Sequence, residues 1–169
     1  MEAIEAIHTR RSIRSYQDQP VEEGVIRDCL AAAMAAPSAG NQQPWQFLVL
    51  TDREILDQIP TFHPHAAMVK KAPLAIVVCG DLDREKYQGF WVQDCSAATQ
   101  NLLLAAHAKG LGAVWVGVHP DEGRVAGMRK LLSLPGSIVP LALIPMGWTA
   151  DPGKRVDRFD PERIHRNGW

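Results

Sequence analysis

The first segment whose residues could carry out chemistry is Thr9-Arg10-Arg11-Ser12-Ile13-Arg14-Ser15. Arg10, Ser12 and Arg14 alternate, so in an extended segment their side chains project to one face. Two guanidinium groups and a hydroxyl on one face supply the charge and the donors that a phosphate group requires. A solvated basic surface is the competing interpretation, because runs of charge are usually only hydrated.

A second basic segment, Gly153-Lys154-Arg155, lies near the C-terminus. Alone it is typical of a solvated tail. Two basic segments at opposite ends of one small domain can meet in space, however, and the donors of both could then hold a phosphomonoester dianion. We therefore treat Lys154 and Arg155 as candidates that depend on the first segment.

The third segment is the polar loop Pro37-Ser38-Ala39-Gly40-Asn41-Gln42-Gln43-Pro44-Trp45. Its hydroxyl and amide side chains offer donors and acceptors, and its small residues allow a ligand to approach the backbone closely. This combination suits the edge of a flat heteroaromatic ring with alternating carbonyl and N–H groups. An ordinary connection between a helix and a strand is the alternative.

The fourth segment, Gly110-Leu111-Gly112-Ala113-Val114-Trp115-Val116-Gly117, is rich in glycine. A dinucleotide-binding fingerprint needs a strand, then glycines, then a helix. Here the glycines follow a predicted helix and precede a predicted strand, so that fold is excluded. We expect a helix cap and a buried strand, with Gly117 allowing the backbone to approach a flat ligand.

Other polar residues give weaker signals. His63 and His65 have metal-like spacing but no nearby Cys, Asp or Glu, so a mobile loop is favoured over a metal site. Asp94 and His107 lie on a predicted buried helix, where satisfied core polar groups are expected rather than an acid–base pair. The sequence contains no Gly-x-Ser-x-Gly, P-loop or His-Glu-x-x-His motif, so hydrolase and kinase activities lack support.

Helices and strands are predicted to be mixed along the chain around these segments. Hydrophobic periodicity and breaker residues predict helices over 2–8, 20–36, 53–59, 90–109 and 122–132, with Gly110 ending the fourth. Strands are predicted over 45–51, 74–79, 113–118 and 138–146, and Pro140 and Pro145 should limit the regularity of the last. Residues 10–16 are expected to be irregular or extended. The mixture indicates an α+β or α/β fold.

The predicted helix over 90–109 is apolar on nearly all sides. A helix of this kind is buried on nearly all sides. In a chain of 169 residues, this pattern favours burial that is partly against a second subunit.

Bulk properties narrow the class. The 169 residues fit one domain, and a net charge of -1 gives no field that would attract nucleic acid. Apolar runs are far shorter than the roughly 20 residues of a membrane span, and no secretory signal is visible. The 3 cysteines are widely spaced and odd in number, which favours buried thiols in a reducing cytoplasm over disulfides.

These segments, in this order, resemble the nitroreductase family of flavoproteins. The resemblance rests on motifs that span nearly the whole chain: residues 10–16, residues 36–45, Ala98-Thr99-Gln100-Asn101-Leu102-Leu103-Leu104-Ala105-Ala106-His107, residues 110–115 and Lys154-Arg155. It implies one domain over 1–169 with an α+β fold, in which a mainly antiparallel sheet is flanked by helices. It also implies a homodimer with two FMN sites at the interface, and residues 149–169 as a tail that contributes to the FMN site or the dimer.

The resemblance assigns residues to the parts of the cofactor. The phosphate and ribityl end would contact Arg10, Arg11, Ser12 and Arg14, together with Lys154 and Arg155. Loop residues of the partner subunit would approach the flavin, and the backbone of the fourth segment would lie along the ring. The loop residues are Pro37, Ser38, Ala39 and Asn41. The backbone along the ring belongs to Trp115, Val116 and Gly117. Arg14 is the candidate for positive charge beside the ring.

The expected activity is FMN-dependent transfer of electrons from NAD(P)H to a nitroaromatic, a quinone or a similar electron-poor acceptor. Three alternatives stay open. The first is a narrower flavin-dependent reaction, such as reductive removal of a substituent. The second is a non-catalytic protein that binds and buffers FMN. The third is a binder of some other phosphorylated ligand.

Overall fold

The fold mixes helices and antiparallel strands along the whole chain. A computed structural model of the protein describes residues 1–151, 153–154 and 156–169. Its helices are α1 (Ala3–Thr9), α2 (Glu23–Met34), α3 (Arg53–Gln58), α4 (Trp91–Ala108) and α5 (Glu122–Leu132). Its strands are β1 (Trp45–Leu50), β2 (Leu74–Asp81), β3 (Leu111–Ala113), β4 (Val116–Gly117) and β5 (Ile138–Trp148). Among the described residues, none of the helices has the length and apolarity needed to cross a bilayer.

The sheet is built around β5. This strand pairs with β2 along one edge and with both β3 and β4 along the other, and β1 pairs with β2. Every one of these pairings is antiparallel, which confirms the expected α+β architecture. The register between β2 and β5 shifts between Val78 and Cys79, next to Pro140, which has no N–H to donate. The expected irregularity of β5 is therefore present.

Both faces of the sheet are covered by helices. Successive side chains of β2 point to opposite faces: Leu74, Ile76 and Val78 pack in one core with α2 and α4, and Val77 packs in another with α3 and α5. A strand buried on both faces is apolar throughout, as its sequence predicted. The three cysteines are also buried as free thiols, as expected.

Helix α4 is covered mainly by its own chain. Cys95, Ala98 and Leu102 are buried against α2 and the sheet, and Gly110 adopts a φ of 86° just beyond the helix end, as predicted. Leu104 is half-exposed. A second subunit is therefore needed to cover only a small part of this helix, and its place in a dimer interface stays a prediction.

Two predicted boundaries were wrong. The strand expected over 113–118 is interrupted between β3 and β4, although both pair with β5 in one continuous register. In this register Pro145 stands opposite Val114 and cannot return a hydrogen bond, which explains the interruption. Helix α2 begins at Glu23 rather than in the turn after Pro20, because Val21 packs into the core before the helix starts.

Candidate functional site

The first basic segment runs along the outer edge of β3. The Ile13 N–H donates to the Ala113 carbonyl oxygen at 3.0 Å, and Ser12 forms a parallel bridge with Ala113. The Ile13 side chain is buried, whereas Ser12 and Arg14 are exposed. This pattern agrees with the predicted alternation at residues 12–14, and the place of Arg10 on the same face stays a prediction.

Arg11 connects this segment to the C-terminal tail. Its Nε donates to the Lys154 carbonyl oxygen at 2.8 Å, and its Nη2 donates to the Val156 carbonyl oxygen at 3.2 Å. A Cβ on Gly153 would lie 2.6 Å from the Arg11 Cβ, and the φ of 69° also favours glycine here. The two basic segments therefore meet, and Arg11 contacts the tail backbone. Arg155 lies outside the described residues.

Positive charge concentrates at this junction. Burial lowers the pKa of the Arg10 guanidinium, and the neighbouring charges of Arg11 and Arg158 lower this pKa further. Within the part of the chain that the structure describes, none of these three arginines forms an ion pair with a carboxylate. Guanidinium groups that crowd together without a counter-charge suit an anion. The sequence signal for Arg158 was its position just beyond the second basic segment.

The outer edge of β4 carries the second part of the site. Val114 and Val118 donate their N–H groups to carbonyl oxygens of β5, at 3.4 and 3.0 Å. Because backbone groups of an antiparallel strand alternate in direction, Trp115 and Gly117 present their N–H groups away from β5. Among the described residues, no hydrogen bond from the Gly117 N–H is found outside the regular strand pairing. This edge therefore offers a free backbone donor.

Gly117 leaves space in front of this edge. A Cβ placed on Gly117 would have no atom within 4 Å. The adjoining cavity has a volume of about 200 Å³. Its lining residues are Arg14, His63, His65, Met68, Val114, Trp115, Val116, Gly117 and Arg124. Arg14 and the predicted strand residues therefore line one cavity. At the level of the sequence, only the family resemblance had placed these residues together.

The polar loop is hydrogen-bonded to helix α4. The Ala39 N–H donates to Asp94 Oδ1 at 2.9 Å, and Gln42 Nε2 donates to Asp94 Oδ2 at 2.7 Å. Ser38 Oγ accepts from the Gln43 N–H at 3.0 Å. Asn41 has a φ of 53°, a conformation that L-residues seldom adopt and that recurs at functional sites. Asp94 is thus a satisfied buried polar group, as expected.

The loop does not line the cavity of its own chain. None of the nine cavity residues comes from 37–44, so Pro37, Ser38, Ala39 and Asn41 are not brought to Gly117 within one subunit. A volume of 200 Å³ also falls below the roughly 300–1,000 Å³ of a typical ligand site. Residues beyond those that line this cavity would be needed to enclose a ligand of the size of a mononucleotide.

Two observations concern other candidate sites. His63 is fully buried rather than part of a mobile loop, and no cluster of three potential metal ligands occurs among the residues described. A larger cavity of about 550 Å³ lies between α3 and α5, lined by Ile55, Phe62 and Leu131 among others. Its other lining residues are Gln58, Thr61, Gly127 and Lys130, and none of the sequence-predicted site residues is among them.

The arrangement suits one class of ligand. Guanidinium groups without counter-charges can hold a phosphate, and the open edge of β4 can lie against a planar ring. A flat heteroaromatic ligand with a single phosphate end fits both features. Fold and site together define a mononucleotide-cofactor protein rather than a dinucleotide-binding domain.

Comparison with known proteins gives the family. The model of the Nitroreductase family matches residues 7–62 and 63–148, so the chain belongs to this family. A protein of Methanothermobacter thermautotrophicus is 56% identical over 170 residues, which cover 100% of this chain and 88% of that protein. It carries the provisional name NADH dehydrogenase/NAD(P)H nitroreductase.

Solved structures that resemble this chain carry names of the same family. A protein of Parabacteroides distasonis with the same provisional name shares 44% identity at a TM-score of 0.95, over 99% of this chain and 98% of that one. A provisionally named nitroreductase of Desulfovibrio desulfuricans, solved in complex with FMN, shares 33% identity at a TM-score of 0.87. That match covers 100% of this chain and 98% of the other.

Proposed function

We propose that the chain is an NAD(P)H-dependent oxidoreductase that binds FMN and passes electrons to a nitroaromatic, a quinone or a similar electron-poor acceptor. The observation that carries this proposal is that Arg14, from the first basic segment, lines the same cavity as the open edge of β4 at Gly117. Membership of the nitroreductase family and the names of the relatives support the oxidoreductase class, the FMN and the nicotinamide co-substrate.

The phosphate end of the cofactor would be held where the two basic segments meet. Arg10, Ser12 and Arg14 supply charge and donors from one face, and Arg158 adds positive charge beside Arg10. Arg11 holds the tail at this place through the carbonyl groups of Lys154 and Val156. The Lys154 side chain is exposed and free to turn toward a phosphate. Arg155 is retained as a further candidate.

The ring would lie against the backbone of Trp115, Val116 and Gly117. When bound there, FMN supplies the hydride and electron transfer, which the side chains of the protein cannot perform by themselves. The protein binds and orients the ring, the free N–H of Gly117 faces it, and Arg14 places positive charge at the same cavity. The missing Cβ of Gly117 allows this close approach.

A homodimer would complete the site. In this arrangement Pro37, Ser38, Ala39 and Asn41 of one subunit approach the ring held by the other, which accounts for a loop that is anchored to Asp94 but does not line the Gly117 cavity of its own chain. Exposed apolar side chains on α1 and the tail support association, with Ile4 66% and Phe159 75% exposed. Residues 149–169 would contribute to the FMN site or to this interface.

One open face would serve both substrates in turn. NAD(P)H would bind there, leave after donating hydride, and be replaced by the acceptor, which gives ping-pong kinetics. This use of a single site explains why the chain needs no dinucleotide-binding motif. Three buried free thiols are consistent with a reducing compartment, so we place the protein in the cytoplasm.

Identification of the bound flavin tests the proposal. The purified protein should absorb in the flavin bands, and heat denaturation should release FMN. FAD in the supernatant, or flavin that stays with the precipitate, would contradict non-covalent FMN binding. A colourless protein that cannot be reconstituted with FMN would favour a different phosphorylated ligand.

Anaerobic stopped-flow mixing with NADH and with NADPH then separates an enzyme from a carrier. Rapid bleaching of the flavin, followed by reoxidation with a nitroaromatic or a quinone, is the expected result. Bound FMN that neither nicotinamide reduces would indicate a non-catalytic flavin-binding protein.

A further inference from the structure

Two side chains converge on one backbone oxygen at the candidate site. His63 Nε2 lies 2.9 Å from the Gly117 carbonyl oxygen, and Arg124 Nη1 donates to the same oxygen at 3.2 Å. His63 comes from the segment before β2, and Arg124 comes from α5. Two elements that are distant in sequence therefore hold one residue at the edge of β4.

The geometry fixes the protonation pattern of His63. A carbonyl oxygen can only accept, so Nε2 must carry the proton that it donates. Burial lowers the pKa of His63, and the nearby charge of Arg124 lowers it further, although the hydrogen bond to Gly117 opposes both effects. The ring is then neutral near pH 7. Its Nδ1 is buried without a partner among the described residues, so the bond to Gly117 is the one hydrogen bond that the ring makes with another residue.

A glycine at position 117 needs these two hydrogen bonds more than a residue with a side chain would. Glycine leaves the open space in which a ring can lie, but it also gives the backbone more conformational freedom than any other residue. Strand β4 is only two residues long, and no strand covers its outer edge among the described residues. The carbonyl and the N–H of one strand residue point to the same side, so holding the carbonyl also directs the N–H.

We propose that His63 and Arg124 are positioning residues that hold Gly117 so that its N–H faces the ring of the bound flavin. This inference rests on the proposed function. The two side chains act through the backbone of β4 and need not touch the substrate. Together they compensate for the freedom that glycine introduces at the place where the ring must approach.

Four variants test the proposal. Arg124→Met removes one donor from a half-buried position, and His63→Leu removes the other. His63→Gln can restore an N–H donor to Gly117. Arg129→Met is the matched control, because Arg129 lies on the same helix and donates to the carbonyl oxygens of Pro135, Gly136 and Ile138, away from the cavity.

Three measurements are made on each variant: the Kd for FMN by titration of the apoprotein, the midpoint potential of the bound flavin, and amide exchange of Val116 and Val118 in the apoprotein. Loss of one donor should weaken FMN binding roughly 3- to 10-fold and accelerate the exchange by a similar factor. The midpoint potential should also move in Arg124→Met, and His63→Gln should stay near the parent.

The outcomes separate the two proposals. Arg124→Met with parental exchange, affinity and midpoint potential would overturn the positioning role, even if His63→Leu fails to fold. An equal shift of the midpoint potential in Arg129→Met would also overturn it, because the effect would then be general. If the parent binds no FMN, the proposed function fails and the inference fails with it. The exchange of the apoprotein would still report whether the two donors hold β4.

Discussion

Asp94 Oδ2 accepts a hydrogen bond from Gln42 Nε2 at 2.7 Å, and both side chains are buried. Gln42 Oε1 in turn accepts from the N–H groups of Lys86 and Tyr87, at 2.8 and 3.1 Å. One buried amide therefore links helix α4, the polar loop and the segment before α4. The loop that is proposed to reach the partner's flavin gets its shape from this link.

Replacing Asp94 should loosen the loop and destabilise the fold. Asp94→Ala leaves the buried Nε2 of Gln42 without an acceptor, which typically costs about 1–3 kcal/mol. Urea unfolding measures this loss. Asp57→Ala is the control, because the ion pair of Asp57 with Arg53 is exposed and should contribute about 0–1 kcal/mol. Equal stabilities of the two variants would show that the Asp94 link is unimportant.

The arginine cluster should determine FMN affinity. Arg10→Ala and Arg14→Ala each remove a charge-assisted hydrogen bond, with an expected loss of roughly 1.5–3 kcal/mol in binding free energy. Titration of the apoprotein with FMN gives the values. Arg27→Ala, an exposed change on α2, serves as the control. Affinities within a factor of about two of the parent for both cluster variants would indicate a solvated face.

Stability should fall as the pH drops below about 6.5, the ordinary pKa of histidine. Burial lowers the pKa of both His63 and His107 in the folded protein. Between the unfolded value and these lowered values, the unfolded chain binds more protons, so protonation favours unfolding. Carboxylates with lowered pKa values, Asp28 and Asp121, act only in a more acidic range.

Urea unfolding at pH 7.5 and 5.5 measures this dependence. The parent should be less stable at pH 5.5, and His63→Gln should show a smaller difference between the two pH values because it cannot titrate. A parent that is equally stable at both values would contradict the lowered pKa values.

Flavin binding and dimerisation should be coupled. If the loop of one subunit contacts the flavin of the other, dissociation removes part of each site, so dilution should release flavin and flavin removal should weaken the dimer. We expect the interface to include the half-exposed side of α4. Sedimentation of the holoprotein and the apoprotein across a dilution series tests both parts. A monomer that stays yellow would refute the shared site.

The sequence predicted the elements with strong local patterns. Strand β2 was recognisable from its apolar run, and the alternation in the first basic segment predicted that Ser12 and Arg14 would be exposed on either side of Ile13. The contact between His63 and Gly117 was not predictable, because it joins residues 54 positions apart and looks like a metal motif or a mobile loop in isolation. No local pattern encodes a single long-range hydrogen bond.

The attachment of the tail was partly predictable. The two basic segments meet as expected, but the sequence could not show that Arg11 would donate to backbone carbonyl groups of the tail. An arginine can donate hydrogen bonds to a phosphate or to a carbonyl group, and only the direction of its side chain shows which of the two it contacts. Arg158 was missed for a similar reason, since its significance depends on its distance from Arg10.

The open space at Gly117 also separates cofactor binding from folding stability at this position. Its φ is not in the left-handed region and a Cβ would meet no atom within 4 Å, so the fold could accept alanine there without strain. Any such side chain would project into the volume where we place the ring and its visitors. A substitution here would therefore be expected to reduce FMN binding while the core stays untouched, so that a loss of the cofactor need not be accompanied by a loss of folding stability.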